Sequence, residues 1–288
     1  HQKIIEIVHF FIKMKIWIQE TGHKGQEVKR LQKTLGITSD GSFGPKTEQA
    51  LKDFQSKNCL TVDGRSGPQT RSTLGIEIYP GIDVSHHQGM IDWDTVKTTG
   101  LADFCWVKAT EGNSYLDPKA KRNISECRRV GIPVGAYHFA RPDLHLDPYK
   151  EVKNFAKHCP TDKGDLRPVL DFERNGDHDA ASIHNWVVEF LKEIEKETGI
   201  RPVIYTGGNM VKYGLNKNTS VLDTYTLWHA AYSKKSRVTG IKKDRLGSWK
   251  EWRVWQWTGY EQIDGVSGDI DRNWLVGGQP GFDEILIK

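Results

Sequence analysis

Four cysteines, three methionines and no unbroken apolar run of membrane-spanning length are what this 288-residue chain has little of. Cys59, Cys105, Cys127 and Cys159 show no metal-type spacing. Cys105 lies in an apolar strand-like run and Cys127 in a helical pattern, so they read as buried free thiols rather than a disulfide framework. The apolar stretch from Ile4 to Ile18 is broken by Glu6, His9, Lys13 and Lys15 and has no small-residue cleavage site. It therefore fits neither a membrane span nor a secretion signal, and Met14 within it is a candidate start. An excess of one charge is missing too: the net charge is +4, and residues 80–288 hold 29 Lys/Arg against 29 Asp/Glu. So slight a balance argues for no nucleic-acid partner.

What is present is a globular composition, 37% hydrophobic and 27% charged, long enough for a large domain plus a small one. The ten tryptophans signal an aromatic-rich core or ring platforms for sugars. A repeat appears early. Asp40-Gly41-Ser42-Phe43-Gly44-Pro45-Lys46-Thr47 followed by Leu51 returns as Asp63-Gly64-Arg65-Ser66-Gly67-Pro68-Gln69-Thr70 followed by Leu74. Asp-Gly makes a tight turn, and the proline sits early in a helix, where its missing N–H costs nothing. With helical spacing at Val28, Leu31 and Leu35 and at Ala50, Leu51 and Phe54, three short helices joined by two similar turns are predicted. The basic excess lies here, 12 Lys/Arg against 8 Asp/Glu in residues 1–79, and suits a polyanionic surface such as a bacterial wall. Gly25, Val28, Leu31-Gln32, Leu35, both turns, Phe54-Gln55 and Leu60 make residues 22–75 resemble the peptidoglycan-binding domain of wall hydrolases. That resemblance implies binding without cleavage. Residues 1–21 are read as an N-terminal segment and 76–80 as a linker.

From residue 81 to 288 short apolar runs alternate with amphipathic helices. The runs are Gly81–Ser85, Phe104–Thr110, Pro133–Phe139, Pro168–Glu173, Pro202–Thr206, Thr226–Tyr232, Arg253–Trp257 and Gly268–Arg272. Eight of them suggest an α/β, TIM-like closed barrel of mostly parallel strands. Helices are predicted over 118–129, 148–158 and 180–198, the last with Ile183, Trp186, Val187, Phe190, Leu191 and Ile194 on one face. The connection from Ser233 to Trp252 shows little helical periodicity.

Pro168–Glu173 ends in two carboxylates. Alternate strand residues share a face, so Asp171 and Glu173 project together, roughly 6.5 to 7 Å apart at the backbone. Such a pair resists full ionisation, which raises one pKa and makes a proton donor. Alone, the pattern equally fits acids that cap a helix or pair with arginine. The active site of a parallel barrel lies at the C-terminal strand ends. Those ends carry Asp83, Glu111, Tyr137, His138, Asp171, Glu173, Tyr205, Trp228, Tyr232, Trp255, Trp257 and Asp271, acids and aromatics at one mouth. Asp83 with His86 and His87 makes a poor metal site, because neighbouring strand histidines point apart and no third ligand cluster exists. No metal or cofactor is expected, and Lys108 reads as a salt-bridged support beside Glu111.

These residues carry a second resemblance. Gly81-Ile-Asp-Val-Ser-His-His-Gln-Gly89, Lys108-Ala-Thr-Glu-Gly112, Gly135-Ala-Tyr-His-Phe139, Leu170-Asp-Phe-Glu173, Tyr205-Thr206, Trp255-Gln256 and Asp271-Arg-Asn273 are similar in order and spacing to the glycoside hydrolase family 25 muramidases, a lysozyme class. His229 departs from the aliphatic residue more usual there. The resemblance implies a barrel of five β/α units and three further strands. It also implies cleavage of the β-1,4 bond between N-acetylmuramic acid and N-acetylglucosamine. Glu173 would be the acid, with Asp83, Asp171 and Asp271 as carboxylate partners, and Glu111, Tyr137, His138, Tyr205, Trp228, Tyr232, Trp255 and Trp257 would bind substrate. Backbone spacing does not choose between retention and inversion. Substrate assistance, with the 2-acetamido oxygen attacking the anomeric carbon and Asp171 orienting its N–H, leads to the expectation of net retention. The partner expected is bacterial peptidoglycan, met by a monomer without nucleic acid or membrane insertion. A phage endolysin held in the host cytoplasm until release is the expected setting, with a bacterial autolysin or a non-catalytic wall-binding protein as alternatives.

Overall fold

In the computed structural model, residues 18–232 and 245–288 are described. The expectations for residues 1–17, Met14 included, and for 233–244 lie outside them. The chain divides into two units, one whose described part is 18–79 with 276–282, the other 80–232, 245–275 and 283–288.

In the first unit, helices α1 (Gln26–Thr34), α2 (Pro45–Lys57) and α3 (Pro68–Leu74) close over Val28, Leu31, Phe43 and Leu51. The sequence repeat is a repeated hydrogen-bond network. Gln32, buried in α1, donates through Nε2 to Asp40 (2.7 Å), the Ser42 carbonyl (3.0 Å) and Thr47 (3.0 Å), and accepts from the Gly41 N–H at 2.8 Å. Twenty-three residues on, Gln55 repeats every contact with Asp63, the Arg65 carbonyl, Thr70 and the Gly64 N–H. A buried amide must fill its donors and acceptor, and the Asp-Gly turn supplies both kinds of partner. Gly41 and Gly64 stand at φ 75° and 68°, the left-handed region that glycine enters without strain.

The second unit is the barrel. Strands β1 (Tyr79–Val84), β2 (Phe104–Glu111), β4 (Val134–Phe139), β5 (Val169–Phe172), β6 (Val203–Gly207), β7 (Thr226–Ala230), β8 (Val254–Glu261) and β9 (Ile270–Leu275) form it. The two-residue β3 (Tyr115–Leu116) is appended to β2. Neighbours from β1 through β2 and β4 to β8 pair in parallel, β8 and β9 antiparallel, and β9 lies beside β1, closing the ring. Helices α4 (Trp93–Thr99), α5 (Ala120–Arg129), α6 (Tyr149–His158) and α7 (Ala180–Thr198) cross between the early strands. The pattern behind the sequence expectation did not single out α4. After β6 the crossover shrinks to short turns at Met210–Gly214 and Leu222–Thr224, so the fifth unit lacks a long helix.

Helix α7 has the extent and buried face that its periodicity predicts. Asp179 caps it by accepting from the Ala181 and Ser182 N–H groups, and Gly199 ends it at φ 70°. The barrel interior is filled by aromatic rings. Trp106 stacks on Trp228 at 4.6 Å, and Tyr205 meets Trp228 edge-on at 4.7 Å. Glycine makes the room: a Cβ on Gly81 would lie 2.2 Å from the Phe104 ring, and one on Gly135 would lie 2.7 Å from Trp106 Nε1 and 2.8 Å from the Leu166 carbonyl oxygen. No helix among the described residues is long and apolar enough to cross a membrane.

Candidate active site

Above the rings opens a cavity of about 240 Å³. Asp83 from β1, Asp171 from β5, Glu173 just past its end and Asp271 from β9 all line it, with Tyr137, Tyr205, Trp228, Tyr232 and Gln256. Asp271 arrives by an unexpected route. It is the second residue of a strand antiparallel to β8, so the start of β9, not its C-terminal end, meets the mouth.

Asp83 is 5% exposed. Asn273 donates to its Oδ2 at 2.7 Å, and Gln256 donates to Oδ2 at 3.0 Å and Oδ1 at 3.2 Å. The amide of Asn273 cannot turn round, because its Oδ1 accepts from Trp228 Nε1 at 2.8 Å, and an indole only donates. Gln256 Oε1 is occupied in the same way by the Tyr205 hydroxyl at 2.7 Å. Burial and the charge of Asp271 push the Asp83 carboxyl well up, while the Asn273 and Gln256 bonds oppose them by favouring the ionised form.

Asp171, 7% exposed, has no hydrogen-bond partner for its Oδ1. Burial, then Glu173 and Asp83, raise its pKa well above the usual range, with Lys108 opposing. Glu173 is open to the solvent of the cavity, yet protein atoms wall its carboxyl from below. That partial desolvation raises it against the Tyr205 hydroxyl, Arg174 and Lys108. Asp271 is raised to about 6 by burial, with the Tyr232 hydroxyl opposing and Glu173 adding to the rise. Four carboxylates in one cavity beside one ammonium, that of Lys108, cannot all ionise at neutral pH.

The family model for glycosyl hydrolases family 25 matches residues 82–266, more than half of the chain. The chain belongs to that family. A model for a putative peptidoglycan binding domain matches residues 24–74. The chain is 34% identical over 197 residues to the uncharacterized protein YegX of Escherichia coli (strain K12), covering 67% of this chain and 68% of that one. It is 31% identical over 203 residues to Lysozyme M1 of Streptomyces globisporus, covering 67% and 66%. Among solved structures, the bacterial lysozyme of Streptomyces coelicolor superposes with a TM-score of 0.65 at 28% identity, covering 73% of this chain and 97% of that one. A family GH25 lysozyme from Aspergillus fumigatus gives 0.64 at 25%, covering 74% and 100%. The chain is thus a glycoside hydrolase with a TIM-like barrel.

Within this family 25 barrel, four residues expected at the mouth lie elsewhere. Tyr137 and Phe139 line the cavity, so strand alternation turns His138 between them to the helix layer. There it is fully buried, 2.7 Å from both Thr110 Oγ1 and Glu151 Oε2, and stacked on Phe190. The same alternation corrects Trp255 and Trp257. They share a face, as expected, but Gln256 between them takes the cavity side, leaving both indoles buried outside the ring. Trp255 donates to the Ala231 carbonyl and Trp257 stacks on Trp274. Glu111 lines the neighbouring cavity, bridging Lys108 at 2.7 Å and Arg141 at 2.9 Å. Burial pushes its carboxyl up, but these two bonds outweigh it and leave it below its usual value.

In the sequence Gln256 and Asn273 stand only as motif members, with no signal of the role they take here. Ser85, His87, Gln88 and Phe139 also line the cavity unassigned. His86 turns away to Asp117 at 2.8 Å, and no three His, Cys, Asp or Glu side chains among the described residues are arranged to hold a metal ion. His229 is buried in the β7 layer, its pKa lowered to about 4 by burial, and does not line the cavity.

Proposed function

We propose that the protein is a muramidase that cleaves the β-1,4 bond between N-acetylmuramic acid and N-acetylglucosamine in bacterial peptidoglycan, with Glu173 as the general acid. The observation that carries the reading is the convergence of Asp83, Asp171, Glu173 and Asp271 on one aromatic-walled cavity of a family 25 barrel. Glu173 is the most open of these acids and has a raised pKa, which suits a donor that must reach the glycosidic oxygen while protonated.

In the first step the Glu173 proton passes to the leaving oxygen and the bond from the anomeric carbon to that oxygen breaks. The 2-acetamido oxygen of the same sugar attacks the anomeric carbon, giving an oxazolinium ring. The free Oδ1 of Asp171 suits it to accept the acetamido N–H and so stabilise that ring. Asp83 lines the same cavity, held rigid by three donor contacts that favour its ionised form, the form that stabilises a developing cation. Water then opens the ring as Glu173 takes its proton, giving net retention. Residues 22–75 serve as a wall-binding domain that brings the catalytic barrel to its polymer.

The test is digestion of purified peptidoglycan by wild type and Glu173→Gln. New reducing ends on muramic acid, retained in anomeric form and absent with the variant, are expected. Release of free amino groups instead points to an amidase or peptidase and refutes the reading. A purely inverted first product refutes substrate assistance alone.

A further inference from the structure

The carboxylate cavity has a neighbour lined by cationic side chains and imidazoles. A second cavity, of about 510 Å³, adjoins it and shares Lys108 and His87 as its wall. Four acids face the first. The second is faced by Lys108, Arg141, His87 and His145, with Glu111 the one carboxylate among its lining residues, and Glu111 is already spanned by Lys108 and Arg141. Asp143 backs Arg141 and Asp117 backs His86, holding those groups in place from outside the lining. Leu144, 55% exposed, adds an apolar side.

A neutral sugar has no electrostatic reason to prefer this wall. A muramic acid residue carries one part that does. The lactyl ether on its C3 bears a short peptide with free carboxylates and alanine methyls. C3 adjoins C2, whose acetamido group the proposed function sets at Asp171. Lys108 acts electrostatically on Asp171 and also lines the second cavity, so it stands where a chain leaving C3 would cross from one to the other.

We propose that the second cavity receives the stem peptide of the muramic acid whose ring occupies the carboxylate cavity, binding its carboxylates through His145 and the Lys108–Arg141 pair and its methyl groups against Leu144. The proposal rests on the muramidase reading. It makes the enzyme selective for peptide-bearing glycan over bare glycan.

The experiment measures kcat/KM on soluble, un-cross-linked glycan strands with their stem peptides, and on the same strands after an amidase has removed them. His145 is exposed, and His145→Glu sets a carboxylate against the peptide's own. It is expected to lower kcat/KM on peptide-bearing strands roughly fivefold, the scale of one exposed charge contact, and to leave stripped strands unaffected. His145→Lys should hold the wild-type value on both. An equal loss on both substrates makes the cavity a sugar subsite, and no loss on either leaves it unused; each overturns the proposal. Wild type that cleaves neither strand form refutes the muramidase reading itself, and the proposal with it.

Discussion

Replacing Asp171 by Asn is expected to move stability and activity in opposite directions. Asp171 is buried, its Oδ1 has no hydrogen-bond partner, and Glu173, Asp83 and Asp271 all act on it as like charges. An ionised group left unsatisfied in the interior costs more than the ~1–3 kcal/mol of a neutral one, and asparagine removes that charge at nearly the same size, for a gain of about 1–3 kcal/mol. For a domain of this size that stabilisation corresponds to a rise in Tm of roughly 2–12 °C. The sign follows from linkage. Burial and the neighbouring acids raise the folded-state pKa of Asp171 above its unfolded value. Its contribution to stability is therefore intact below about pH 4, where both states are protonated, and is lost as pH rises through the folded pKa. The advantage of Asp171→Asn should thus be absent near pH 3.5 and grow as pH rises toward 8. Thermal melts of both proteins across that range, followed by circular dichroism, measure it. Removing an electrostatic contact that works in the transition state should meanwhile lower kcat by about 10²–10³. A variant no more stable than wild type at pH 8 would refute the claim that this charge is held at a cost.

Other perturbations test the remaining contacts. Asn273→Ala removes the 2.7 Å donor from Asp83, a bond to a charged group worth about 1.5–3 kcal/mol. Since a donor favours the ionised form, its loss should raise the Asp83 pKa by about 1–2 units and move the acidic limb of the kcat/KM profile up by that amount. An unmoved limb would remove Asp83 from the reaction. In wild type, activity should fall on the alkaline side of the same profile as Glu173, whose pKa is raised, gives up its proton. Gly135→Ala drives a Cβ to 2.8 Å from the Leu166 carbonyl oxygen, backbone that cannot swing aside, and should cost about 1–3 kcal/mol in urea unfolding. Gln55→Leu leaves the buried Gly64 N–H without its acceptor and should destabilise the front unit by about 1–3 kcal/mol, read as an earlier melting step, while hydrolysis of soluble glycan by the barrel stays intact.

Local periodicity by itself determined much of this protein. The apolar stripe of α7, the doubled Asp-Gly turn and the shared face of Asp171 and Glu173 all follow from backbone geometry that repeats over a few residues, so each was legible in the chain. Period two says which residues share a face, but not which face looks inward. In β8 both faces are buried, by Trp255 and Trp257 on one side and Gln256 on the other, so no hydrophobic contrast marks the inside. Closure of the barrel decided it, turning the two indoles out and Gln256 in, and His138 was turned out by the same rule. Strand direction was equally hidden: Asp271 reaches the mouth because β9 runs antiparallel to β8, a matter of long-range pairing that local sequence does not encode. The clamp on Asp83 draws Gln256 and Asn273 from 173 and 190 residues away, and only the closed ring brings their amides to one carboxylate.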